Sequence, residues 1–321
     1  MPASLRCLCA ILFAAFAGHA AAQNYPSQPI RLIAPFPPGG SVDITARLIA
    51  EPLAAQLGQR IIVDNRSGAS GNIGMEAAAR AAPDGYTLVL NTIPLVTNQA
   101  MFTNLTWDPV RDFTAIGMVS TSPHVVVVPG KSPITSIDQL IKAARASPGK
   151  LSYASAGVGT TFHLCAELFK DQTQTFILHV PYRGGGPAVL DTLAAQVDMS
   201  FPTLAAAVPH ARAGTLRALA VTSVQRSPLL PEVPTLQEAG LKGFQFTQWQ
   251  ALLAPAKTPP AIVARVNAAL NEVLKSKEIT EKFQAQAFES FITTPDEAGR
   301  YIAEEARRLS RVIKTKGITA D

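Results

Sequence analysis

Short runs of β-branched and apolar residues alternate along the chain with longer stretches of helical periodicity. The runs Ile30–Ala34, Arg60–Val63, Thr87–Asn91, Val125–Val128, Leu151–Ala154, Phe176–Val180, Val197–Phe201 and Leu216–Thr222 predict strands. Ile44, Leu48, Leu53 and Leu57 recur on one face of a helix opened by Ser41 or Asp43. Ser136 and Gln139 form a capping-box pattern ahead of Leu140 and Ala143. Thr258 reads as the cap of a helix with Pro259 in its first position and an apolar stripe of Ile262, Val266, Leu270 and Val273. Pro52 falls inside the first helix, where it removes a hydrogen bond and predicts a kink. Strands alternating with helices imply an α/β protein whose sheets are mainly parallel and covered on both faces.

Two segments break the alternation. The stretch 227–260 holds Pro228, Pro231, Pro234, Pro255, Pro259 and Pro260, which suits a crossing strand or linker better than a core helix. Val125–Val128, followed by Pro129 and Gly130, is a second candidate crossing. Two crossings take the chain into a second domain and back. The length of 321 residues agrees with two domains at about 150 residues each. The boundaries expected are 23–124 plus 246–321 for domain 1 and 125–245 for domain 2.

Residues 1–22 read as an address. Arg6 precedes an apolar run from Leu8 to Ala17, well short of the roughly 20 residues that span a bilayer. Ala20, Ala21 and Ala22 then offer a signal-peptidase site before Gln23. Cleavage there removes Cys7 and Cys9 and leaves Cys165 alone, so the mature chain has no internal disulfide. Its stability must come from a large core, for which 47% hydrophobic residues suffice. Only 16% of residues are charged, which excludes a disordered chain or a coiled coil. The net charge of +5 is scattered, with no basic cluster, so nucleic acid is not an expected partner.

Candidate chemistry collects in four loops between strands and helices: 35–43, 65–74, 155–163 and 182–187. Each pairs glycines with the start of a helix, where free backbone N–H groups and the positive end of the helix dipole attract anions. In open α/β sheets such turns share one edge and converge on one crevice. Hydroxyls stand beside the glycines in the first and third loops, at Ser41, Ser155, Thr160 and Thr161. Neither of those two loops contains Lys or Arg, and no phosphate-loop or dinucleotide motif is present, so a carboxylate suits them better than a triphosphate. No GxSxG elbow or HExxH occurs. His124, His163, His179 and His210 lack a nucleophile or metal partner at signature spacing and read as structural, with His163 placed to orient the third loop. Cys165 reads as a small core residue. Arg183 fits two roles equally, a partner for a ligand carboxylate or a solvated residue before a glycine turn. No metal or cofactor is expected.

These residues resemble a known family. Tyr25-Pro26, Ile30–Ala34 and the run from Pro35 to Asp43 are similar to the first strand and loop of the tripartite tricarboxylate transporter substrate-binding proteins, also called the Bug family. Asn65 to Gly74, Ala82 to Thr87, Ser155 to His163, His179 to Gly184, Leu216–Ser223, Pro231 to Thr235 and Glu238-Ala239-Gly240 continue the likeness in order. The resemblance implies a type II periplasmic binding protein: two Rossmann-like α/β domains, joined by two crossing strands, with a ligand cleft between them. It implies a periplasmic protein that binds a small organic acid, holds its carboxylate with main-chain N–H groups and waters, and delivers it to the membrane components of a transporter. A monomer is expected. With the first loop and the Ser155–Thr161 loop so implicated, the residues expected at the ligand are Phe36, Pro38, Gly39, Gly40, Ser41, Asp43, Ser155, Gly157, Gly159, Thr160, Thr161, His163, Arg183, Gly184 and Thr203. One departure stands out, because Pro202 occupies a position where many members have Asp. Two other readings compete, a secreted α/β enzyme acting on a carboxylate or ester and a ligand-sensing regulatory domain, and fold alone does not separate the three.

Overall fold

In the computed structural model, which describes residues 25–319, the first strand is apolar but for the half-buried Arg31, because both its faces are covered. Strand β1 (Ile30–Ala34) lies between β2 (Ile61–Asn65) and β3 (Thr87–Asn91), parallel to both. Strand β4 (Phe113–Pro123), β10 (Thr247–Pro255) and β11 (Glu289–Ser290) complete a six-stranded sheet in the order β11-β4-β10-β3-β1-β2. The second sheet has the order β7-β6-β8-β5-β9, built from β5 (Val125–Pro129), β6 (Ser152–Ser155), β7 (Leu178–Pro181), β8 (Met199–Ser200) and β9 (Leu216–Val221). The signal-peptide reading falls on residues outside those described.

Three sequence expectations need correction. The sheets are mixed rather than mainly parallel, since β10 runs antiparallel to β3 and β4, and β5 antiparallel to β8 and β9. The proline-rich stretch holds a strand in the middle of the first sheet, because within β10 the only proline is Pro255, at its last position. Thr258 is not a helix cap. Its hydroxyl donates to the Pro255 carbonyl at 2.7 Å, and the helix starts at Pro260, capped by Pro259 without a side-chain bond. Ser136 does cap its helix, accepting from the Gln139 N–H at 3.2 Å, while the Gln139 side chain reaches back to the Thr135 N–H at 2.8 Å. Helix α1 (Ser41–Leu57) runs through Pro52, and nothing in the structure explains that proline.

The passages between the sheets are short and tied together. Strand β4 leads into β5 with His124 alone between them, so Val125–Val128 is a full strand rather than the crossing itself. On return, the chain leaves β9 at Thr222 and enters β10 after Phe246. Thr222 lies between the two passages. Its hydroxyl accepts from the His124 N–H at 2.8 Å and donates to the Phe246 carbonyl at 2.6 Å, and its own N–H donates to the His124 carbonyl at 2.9 Å. One hydrophobic cluster includes Ile33, Val89 and Leu253 of the first sheet with Val126, Tyr153 and Met199 of the second, so the core is continuous beneath the cleft.

Candidate functional site

Four helices begin on one cavity of about 410 Å³ between the sheets. They are α1, and three that follow strands of the second sheet: α5 (Thr161–Thr173), α6 (Gly185–Leu193) and α7 (Leu204–Arg212). Their N-cap residues Gly40, Thr160, Gly184 and Thr203 all line the cavity, and none of the four forms a side-chain cap. Elsewhere Ser136, Ser276 and Thr294 do cap their helices, while the helices that follow Gly71, Ile93 and Pro259 also lack a side-chain cap. The first N–H groups of a helix have no partner within it. Four such ends left without side-chain caps around one space make a ring of donors with positive helix ends behind them. No Lys, Arg, Asp or Glu lines the cavity among the described residues.

Of the residues expected at a ligand, Phe36, Pro38, Gly39, Gly40, Ser41, Thr160, Thr161, Gly184 and Thr203 line this cavity. Asp43, Ser155, Gly157, Gly159, His163 and Arg183 do not. Asp43 is consumed locally: its carboxylate accepts from the Gly39 N–H at 2.9 Å, Arg47 Nε at 3.0 Å and Asn65 Nδ2 at 2.9 Å. Burial acts to raise that carboxyl, but these donors outweigh it and hold its pKa below the usual range. Gly159 has φ +72°, and a Cβ there would fall 1.7 Å from Met101 Cε, so its lack of a side chain serves packing. Arg183 is exposed and stands outside the cavity lining.

Ser155 and the two histidines brace the third loop from behind. Ser155 Oγ contacts His179 Nε2 at 2.6 Å and bonds both the N–H and the carbonyl of Gly157 at 3.1 Å. His163 Nδ1 accepts from the Gly159 N–H at 2.9 Å, so this nitrogen carries no proton. The two imidazoles stack with centroids 4.1 Å apart, and Tyr153 stacks on His179 at 4.8 Å. Burial depresses both histidine pKa values, and each proton taken up would repel the other ring and Lys170. The second loop also supports the third, since Ser70 Oγ donates to the Val158 carbonyl at 3.1 Å. Cys165 is fully buried and its thiol pKa is pushed up by burial, as befits a core residue.

Sequence reasoning missed Gln248. It is 2% exposed, lies on β10 and faces the cavity. Its amide nitrogen donates to Ser41 Oγ at 2.9 Å and its amide oxygen accepts from Thr161 Oγ1 at 3.1 Å. One side chain thus links the first residues of α1 and α5. Two buried glutamines in Thr247-Gln248-Trp249-Gln250 were the available signal, but the segment read as linker. Also missed were Thr92, Gln286 and the apolar wall of Phe162, Val189, Leu190, Ala205, Ala206 and Pro209.

A hydroxyl has one proton to give. Thr160 gives its proton to the Gly157 carbonyl at 2.7 Å, Thr161 to Gln248, and Thr92 to the Trp249 carbonyl at 2.6 Å. Ser41 only accepts in the bonds described, and the Thr203 hydroxyl, on a residue 1% exposed, has no partner among the described residues. Ser41 and Thr203 are therefore the lining hydroxyls whose protons no described group takes up. A second cavity of about 560 Å³, near the return passage, is lined by Thr121, Arg226 and Tyr301. Its guanidinium is engaged by Glu238 at 2.9 Å, so it offers no comparable donor set.

Comparison with known proteins places this geometry. Residues 45–318 match the family described as the tripartite tricarboxylate transporter family receptor. Protein BugT of Bordetella pertussis is 40% identical over 311 residues, which is 95% of each chain. Among solved structures, R. palustris Rpa4515 with adipate superposes with a TM-score of 0.89 at 36% identity, covering 92% of this chain and 99% of that one. MatC from Rhodopseudomonas palustris with bound malate gives a TM-score of 0.83 at 30% identity, covering 90% of this chain and 100% of the other.

Proposed function

The chain belongs to the tripartite tricarboxylate transporter receptor family, and from that premise we propose that its cleft captures a small organic carboxylate for delivery to a membrane transporter. It is a solute-binding receptor with the type II periplasmic binding protein fold, and not an enzyme. One observation carries the ligand reading: four helix N-termini without side-chain caps meet on a cavity that no charged side chain lines. Neutral donors on fixed backbone suit a carboxylate, which gains charge-assisted hydrogen bonds without displacing a built-in ion pair. The adipate and malate bound to two structural neighbours support the same chemistry.

The finer parts of the reading follow from it. Residues 1–22 are a cleaved export signal, the mature receptor works in the periplasm as a monomer, and it hands its ligand to the transporter's membrane components. The lobes are 23–124 with 246–321, and 125–245, and they close about the Thr222 crossing. Residues Phe36, Gly39, Gly40, Ser41, Thr161, Gly184, Thr203 and Gln248 surround the bound carboxylate.

Hydroxyl accounting gives the test. Losing a donor to a charged group costs about 1.5–3 kcal/mol, or roughly one to two decades of affinity. Ser41→Ala and Thr203→Val should each weaken binding of the tightest acid in a calorimetric screen by that amount. Thr160→Val should weaken it less, because that proton is already spent on Gly157. Equal losses at all three positions would refute the assignment of donors, and wild-type affinity in both Ser41→Ala and Thr203→Val would refute their part in the site.

A further inference from the structure

We propose that the ligand carries a single carboxylate on an apolar body, so that monocarboxylic acids are preferred to dicarboxylic and tricarboxylic acids of similar size. This rests on the reading of the cleft as an acid site and narrows it. The donor ends are gathered in one place. Gln248 ties the start of α1 to the start of α5. The start of α6 abuts both, since a Cβ on Gly184 would lie 3.1 Å from Pro37 and one on Gly185 would lie 3.1 Å from Phe162. Thr203 joins the group through its bridge to His124, whose ring sits edge-on to Phe162 with centroids 5.8 Å apart. A carboxylate held here leaves the rest of the ligand to the remaining wall.

That wall is apolar. Beyond their first residues, α6 and α7 present Val189, Leu190, Ala205, Ala206 and Pro209 to the cavity. Leu190 is 61% exposed, an apolar side chain standing open in the cleft where a ligand body would cover it. Among the described residues the polar side chains on the lining outside the donor cluster are Thr92, whose proton goes to the Trp249 carbonyl, His210 and Gln286, and none of them is a Lys or Arg. A second carboxylate enclosed against such a wall would lose its water without gaining a cation, which is costly. An alkyl chain or ring there is instead favoured by its burial.

The test is calorimetry on the mature protein at pH 7.5 with four probes: hexanoate, benzoate, adipate and citrate. Hexanoate and adipate share six carbons and differ by one carboxylate. The expected result is that hexanoate or benzoate binds at least tenfold more tightly than adipate, with citrate weakest. Leu190→Gln, at an exposed position that leaves folding unaffected, should weaken hexanoate several-fold and narrow its margin over adipate. Adipate or citrate binding as tightly as the better monocarboxylate would overturn the proposal while leaving the acid site intact. Failure of every probe to bind would overturn the acid site itself, and the proposal with it.

Discussion

Replacing Gln248 by glutamate should abolish most anion binding at pH 7.5 while leaving the fold in place. The change is nearly isosteric and sets a carboxylate where the amide now contacts Ser41 at 2.9 Å and Thr161 at 3.1 Å. A ligand carboxylate at the same donor ends would sit about 5 Å away, where repulsion in a partly screened site is about 3 kcal/mol, over two decades of affinity. The new carboxylate would itself enjoy the helix starts, so the melting temperature should hold or rise. Gln248→Met is the neutral control. It loses the two hydrogen bonds and frees the Thr161 hydroxyl without adding a charge, and should cost no more than roughly tenfold. If the glutamate and methionine variants bound an acid equally, the helix starts at Ser41 and Thr161 would not be the anion site.

Acid should destabilise the protein well above the carboxylate range. His124 is wholly buried, its ring between Phe162 and Phe246, with Nδ1 bonded to the Phe201 carbonyl at 2.7 Å. Burial lowers its pKa to about 4, although the Phe201 carbonyl works the other way. His163 and His179 are lowered too, by burial first, with Glu167 partly opposing this at His163. An unfolded histidine titrates near 6.5, so between that pH and the folded value the unfolded chain binds more protons. The stabilisation is therefore complete above about pH 6.5 and falls away as the pH drops toward 4. Each such proton contributes a slope of up to about 1.4 kcal/mol per pH unit, so three together are worth several kcal/mol between pH 6.5 and 5. Asp43, held low by Arg47, Gly39 and Asn65 against the pull of burial, adds its loss only at more acidic pH. A melting-temperature series from pH 8 to 4.5 checks this, and a flat profile down to pH 5 would contradict it.

What could be read from sequence tracks how far each feature depends on its neighbours in the chain. Strands β1 and β3 were legible to the residue, since runs such as Ile30–Ala34 are apolar and buried at every position but the partly buried Arg31. Strands β4 and β10 were not, because Ser120, Ser122, Gln248 and Gln250 place buried polar groups on them. The glycine-hydroxyl loops announced helix starts from local pattern alone. Which hydroxyl keeps its proton was invisible, for it turns on Gln248, 207 residues from Ser41 and 87 from Thr161. His163 braces its loop, although it was also expected at the ligand and does not line the cavity, whereas the pairing of Ser155 with His179 needed the sheet register that brings β6 beside β7.

The most direct test is a crystal structure of the mature protein grown with the tightest-binding acid of the panel. The ligand carboxylate should lie between the two sheets, within hydrogen-bond distance of N–H groups in the first turns of α1 and α5 and of the Ser41 and Thr203 hydroxyls. Its apolar body should rest on Val189, Leu190 and Pro209. An acid bound instead in the second cavity beside Arg226 and Tyr301, with the ring of helix starts left to water, would contradict the account.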